Sequence, residues 1–196
     1  MKIVLILFLL SAQIFAQQSV DSIIESKTKE LNSYGVKDFF YFESYCIGGF
    51  KIVDGTKIDC SLNNSNLYVF WKKDNKNFVE KIDKCVNPKI EIEDKIFNFY
   101  LKNINQIKDE SVEKYTIRED SIVGNMKYSR VKMVSHSCHS KFHFYVNATL
   151  IEKRFDKFNL TTEEVDPNLN YNRNNNLKLV ELGKLCDEVI KLKNIK

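Results

Sequence analysis

Three histidines, His136, His139 and His143, fall within eight residues of one another, with Cys138 between them. Imidazole nitrogen and thiolate sulfur are ligands for zinc and copper, and a His-x-x-x-His spacing brings two imidazoles to one ion on a helix. The surrounding residues oppose a helix, because Phe142, Phe144, Tyr145 and Val146 are β-prone. On a strand, residues four apart lie about 13 Å from each other, too far for two nitrogens that must each sit about 2 Å from one zinc. His136 and Cys138, two apart, then face away from His139 and His143. A metal site built from His136, Cys138, His139 and His143 therefore needs a loop at 136–140 or further ligands. The leading expectation is a row of exposed strand-face histidines beside a structural cysteine.

Cys138 with His136 or His139 would also make a nucleophile pair. A reactive thiolate needs an electropositive site, often a helix N-terminus, and neighbours on a strand point to opposite faces. Ser135, Ser137 and Ser140 surround the histidines, yet the chain has no Gly-x-Ser-x-Gly elbow. It also has no Walker loop, dinucleotide fingerprint, His-Glu-x-x-His or EF-hand loop. No catalytic residue and no cofactor is assigned. The carboxylate pairs Glu91/Glu93 and Glu163/Glu164 read as solvated charge. Lys141 to Tyr145 interleaves basic and aromatic residues but lacks the glycines of an RNA-binding strand.

The compartment bears on every cysteine. Lys2, the apolar run Ile3–Leu10 and the smaller residues from Ser11 to Ala16 have the order of a secretory signal peptide. A spanning helix needs roughly 20 apolar residues, and this run stops at Leu10. The expectation is a signal peptide at 1–16 and one globular domain at 17–196, exported to the periplasm or the cell exterior, with no stable membrane insertion after cleavage. In that compartment Cys46, Cys60, Cys85, Cys138 and Cys186 can oxidise. Five cannot all pair internally, which leaves a free thiol, an intermolecular bond or several reduced cysteines, and the expectation is one or two internal bridges with at least one free thiol. Cys46 with Cys60 is the favoured bridge, because the two flank a predicted strand-turn-strand unit. The sequons at Asn63, Asn147 and Asn159 matter only where the host glycosylates.

The elements that would position these groups are read from period and punctuation. Val20–Ser33 is a capped amphipathic helix stopped by Gly35. Phe39 to Ile47 is a β-prone run, and Phe39-Phe40-Tyr41-Phe42 implies a strand buried on both faces. Gly48-Gly49 and Asp54-Gly55 are hairpin signals that add strands at 50–53 and 56–61. Segments 67–73 and 78–82 flank a turn at Asp74 to Asn77. Ile92, Ile96, Phe97, Tyr100, Leu101, Ile104 and Ile107 recur at helical spacing, giving a helix over 93–108.

Residues 109–125 are mostly polar, with a short strand at Tyr115 to Ile117 and another at Val131 to Val134. Strands at 141–146 and 149–155 join at Asn147-Ala148. Asn168 to Asn176, six of nine residues asparagine, reads as a solvated loop. Leu177–Leu192 closes the chain as a helix. The fold class is α+β, an antiparallel sheet built from hairpins and a meander with about three packed helices.

Hydrophobic residues at 43% and charged residues at 29% are ordinary globular values, and a net charge of +4 is too small for a nucleic-acid partner. The leading expectation is a non-catalytic binding module for a protein or envelope component. The alternatives are a metal-binding protein using the 136–143 cluster and a small hydrolase with a dispersed site.

Overall fold

A computed structural model describes residues 20–48, 60, 62, 65–123, 126–146 and 149–195. The expected signal peptide lies outside them, as do the strand expected at 50–53 and all but Cys60 of the one expected at 56–61. Two units are distinguished, 1–35 and 36–196. In the first, helix α1 (Val20–Ser33) has the predicted bounds. Lys29 reaches Glu25 at 2.7 Å and Lys27 reaches Glu30 at 3.1 Å along its surface. Gly35, at φ 73°, ends it in the left-handed region that glycine enters without a steric cost.

The second unit is built on a six-stranded antiparallel sheet. Its strands are β1 (Asp38–Ile47), β2 (Ser65–Lys73), β3 (Lys76–Ile82), β4 (Ile90–Ile92), β7 (Ser137–Val146) and β8 (Thr149–Asp156), in the order β4-β3-β2-β1-β7-β8. The first four form a meander. The chain then leaves the sheet for helix α2 (Lys95–Asp109) and a separate two-stranded ribbon, β5 (Thr116–Val123) with β6 (Met126–Val131). It returns on the far side of β1 as the β7–β8 hairpin. A short 3-10 turn (Lys157–Leu160), helix α3 (Tyr171–Asn175) and helix α4 (Lys178–Leu192) complete it. The class is α+β. Among the described residues no helix is long and apolar enough to cross a membrane.

The core lies on one face of the sheet. Phe40, Phe42, Phe70, Val79, Phe142 and Phe144 project from the strands into Ile96, Phe97, Tyr100 and Ile107 of α2 and Leu179, Val180, Leu182 and Cys186 of α4. Ring centroids of Phe40 lie 5.1 Å from Phe70 and 5.0 Å from Tyr100, distances at which aromatic pairs add to plain area burial. Phe39, Tyr41, Val69 and Trp71, on the other face, are also out of water. The expected two-sided burial of 39–42 therefore holds.

Several local expectations are corrected. The β2–β3 turn is Asp74-Asn75 alone, both at positive φ (50° and 59°), so Lys76 and Asn77 already belong to β3. Asp and Asn tolerate that conformation best among residues with a side chain, and it suits the twist of a two-residue hairpin. The polar stretch 109–125 holds the whole of β5, because a ribbon whose strands pair only with each other needs no apolar alternation. Val131 ends β6, and 132–134 is not a strand.

Candidate functional site

Strand β7 distributes the sharpest chemical residues by its period of two. The β1–β7 register sets Tyr41 against His143, Glu43 against Lys141 and Tyr45 against His139, all on the face opposite the core. On the core face Phe40 opposes Phe144, Phe42 opposes Phe142, Ser44 opposes Ser140 and Cys46 opposes Cys138. The last pair is joined as a disulfide, and a second disulfide links Cys60 to Cys85. The expected Cys46–Cys60 bridge is thus replaced. A local hairpin argument could not see that a strand 92 residues later would lie directly opposite Cys46. Cys186 is free and fully buried, and burial pushes its thiol pKa well up.

The four residues of the supposed metal cluster go separate ways. Cys138 has its sulfur bonded to Cys46 and offers no thiolate. His136 is exposed just before β7, with Nδ1 2.7 Å from Ser135 Oγ. Its ring lies against Gly48, whose φ of 79° admits glycine and where a Cβ would fall 2.0 Å from His136 Cδ2. His143 corrects the expectation of exposed strand-face histidines. It is 1% exposed, with Nδ1 3.1 Å from Glu152 Oε1, which Lys141 Nζ also approaches at 3.4 Å.

His139 is half-buried and stacks on Tyr45 at 5.1 Å between centroids. Its Nε2 lies 3.2 Å from Ser137 Oγ, and that hydroxyl donates to Asp156 Oδ2 at 2.9 Å. Serine, histidine and aspartate therefore meet, a juxtaposition the sequence reading missed. The β7–β8 register, with Val146 opposite Thr149, already implies it, since it places Asp156 opposite His139. The order of the bonds differs from that of a hydrolytic triad. There the imidazole sits between the other two and accepts the serine proton. Here the serine sits in the middle, donating to the carboxylate, and the imidazole lies at the end of the chain of bonds. Asp156 Oδ1 is also held, accepting the Phe158 amide at 2.9 Å. The arrangement works as a polar clasp across the β7–β8 pair.

One grouping among the described residues brings three side chains of metal-ligand type together, Cys60, Asp83 and Cys85. Its two sulfurs form the second disulfide. Asp83 instead organises the loop, accepting from the Cys85 amide and the Asn87 side chain at 2.8 Å each and pairing with Lys81 at 3.0 Å. Burial alone would raise this carboxyl's pKa. The three donors outweigh it and hold the pKa below the ordinary value.

The asparagine-rich segment is also corrected. Asn168 and Asn174 are buried, and their carboxamides bond to backbone. Asn174 accepts from Glu113 N and donates to the carbonyls of Glu113 and Asn159 at 2.9–3.0 Å. Asn168 donates to the carbonyls of Asn159 and Thr161 at 3.0 Å. Asn159 in turn accepts from Tyr115 N through its side-chain oxygen at 2.9 Å.

No family model, curated protein or solved structure matches this chain. Function must come from its surface. At the end of β1 beside the Cys46–Cys138 disulfide, Ile47 remains 52% exposed. Met133 and Val134, a short way before the His136 ring that packs on Gly48, are 82% and 41% exposed.

Proposed function

We propose that the protein is an exported, non-catalytic binding module that meets a protein or envelope component through the disulfide-stapled end of its sheet. The observation that carries this reading is the exposure of large apolar side chains at the end of β1, Ile47, and in the segment leading into β7, Met133 and Val134. Ile47 follows Cys46 of the cross-strand disulfide, and Tyr45 of the same strand stacks on His139. Apolar groups that stay exposed on a rigid scaffold mark interaction sites, because their burial is deferred until a partner covers them. Two disulfides fit an oxidising compartment, and Met1–Ala16 supplies the export signal. The metal alternative is weakened by the loss of Cys138. The hydrolase alternative is weakened by the direction of the Ser137 proton.

The test uses immobilised wild-type protein, an Ile47→Glu/Val134→Glu variant and a control, Leu101→Glu on α2, each exposed to the host's envelope and secreted fractions. One component retained by the wild type and control but lost by the double variant supports the reading. Equal retention by all three overturns it, as does ester or peptide hydrolysis abolished by Ser137→Ala.

A further inference from the structure

We propose that β8 is a self-association edge, along which two copies of the chain pair antiparallel about a twofold axis at Lys153. Strand β8 is last in the sheet and is bonded only to β7. It runs for eight residues, so it presents a full row of outward backbone donors and acceptors, a template for another extended strand. Among the described residues no hydrogen bond reaches that outer row.

The side chains select the occupant. Leu150, Glu152, Arg154 and Asp156 lie on one face of β8, and Ile151, Lys153 and Phe155 lie on the core face. In an antiparallel pair, residues directly opposite share a face and interact most strongly. With the axis at Lys153, Glu152 of each copy stands opposite Arg154 of the other, giving two ion pairs. On the core face Ile151 of each copy meets Phe155 of the other. An axis at Glu152 would set Glu152 against its own copy and Ile151 against a lysine. An axis at Arg154 would oppose two guanidiniums and set Glu152 against Asp156. Of these three registers, only the one at Lys153 is complementary in both charge and apolar contact.

The monomer leaves the charged groups ready, while Phe155 is already buried in its own core. Arg154 is exposed and pairs with no carboxylate among the described residues. Glu152 keeps 49% of its side chain in water while its Oε1 faces Lys141 and His143. Lys153, on the axis, is no obstacle, because its Nζ turns away to donate to the Glu110 carbonyl at 3.0 Å. Pairing also closes on itself. Once β8 is used, the other edge of the six-stranded sheet is β4, three residues long and too short to propagate a fibre.

Sedimentation velocity on the purified protein across a concentration series is the experiment. The expected result is a reversible monomer–dimer equilibrium. Arg154→Glu should weaken it roughly ten- to a hundredfold by replacing two attractive cross-strand pairs with two repulsive ones. The charge swap Glu152→Arg/Arg154→Glu should restore it, with thermal unfolding confirming that each variant is folded. Lys153→Cys provides a register test that needs no charge change in the Glu152–Arg154 pairs. Under mild oxidation it should yield a covalent dimer whose bridge joins position 153 of one copy to position 153 of the other, whereas Ile151→Cys should not link. A monomer at every concentration overturns the proposal, including one that takes up only a foreign extended peptide. A dimer indifferent to Arg154→Glu and not linked through position 153 overturns it equally.

Discussion

Glu110, the residue that ends α2, caps the first turn of α4: its Oε2 accepts the amide of Leu179 at 2.7 Å. Helix α4 begins at an N-cap, Leu177, whose side chain holds no oxygen and forms no capping hydrogen bond. A helix N-terminus leaves amide donors unpaired and carries partial positive charge, so a carboxylate from a distant residue serves both needs. Gln106 holds the other oxygen at 2.9 Å.

Glu110→Ala should therefore destabilise the fold by about 1–2 kcal/mol, the scale of a lost cap. Glu110→Gln, which keeps an acceptor, should lose less. Urea unfolding of the three proteins measures both. A cost for alanine no larger than that of an exposed surface substitution would remove the cap from the account.

The cysteines make a second prediction. Without reduction, denatured protein should show one alkylatable thiol, Cys186, and after reduction five. In the native state Cys186 should resist alkylation, since it is fully buried and its raised pKa keeps it protonated. Cys46→Ser/Cys138→Ser should lower stability by roughly 2–4 kcal/mol, because the bridge closes a long loop in the unfolded chain. Peptide mapping that found Cys46 joined to Cys60 would contradict the β1–β7 register.

The asparagine network predicts a contrast within one run of like residues. Asn174→Ala leaves the Glu113 amide and carbonyl without the buried carboxamide that pairs them and takes one of two donors from the Asn159 carbonyl, at a cost of roughly 2–4 kcal/mol. Asn172→Ala, at an exposed position, should be nearly silent. Thermal denaturation distinguishes them, and equal melting temperatures would return the segment to a solvated loop.

Asp83 predicts an acid limb. Its folded pKa lies below its unfolded value, so its contribution is present above the ordinary aspartate range near pH 4 and is lost as pH falls through the folded value. The stability gap between wild type and Asp83→Asn should be widest near neutrality and should narrow as pH falls below the ordinary aspartate range. A gap that stayed constant with pH would mean the carboxylate is not selectively stabilised by the Cys85 amide, Asn87 and Lys81.

The sequence by itself determined what local physics can carry. The helical spacing of Ile96, Phe97, Tyr100 and Ile107 announced α2, and the β-prone runs on either side of Asn147-Ala148 announced the β7–β8 hairpin. The odd cysteine count ruled out complete internal pairing. Tertiary structure alone decided which strand lies beside β1. Composition does not encode register between segments far apart in the chain, and that register sets the partner of Cys46, buries His143 and brings Tyr45 over His139. It also decided the fate of the asparagines. A carboxamide is solvated or buried according to whether backbone donors and acceptors from other segments come within reach, and those of Asn174 come from Glu113 and Asn159.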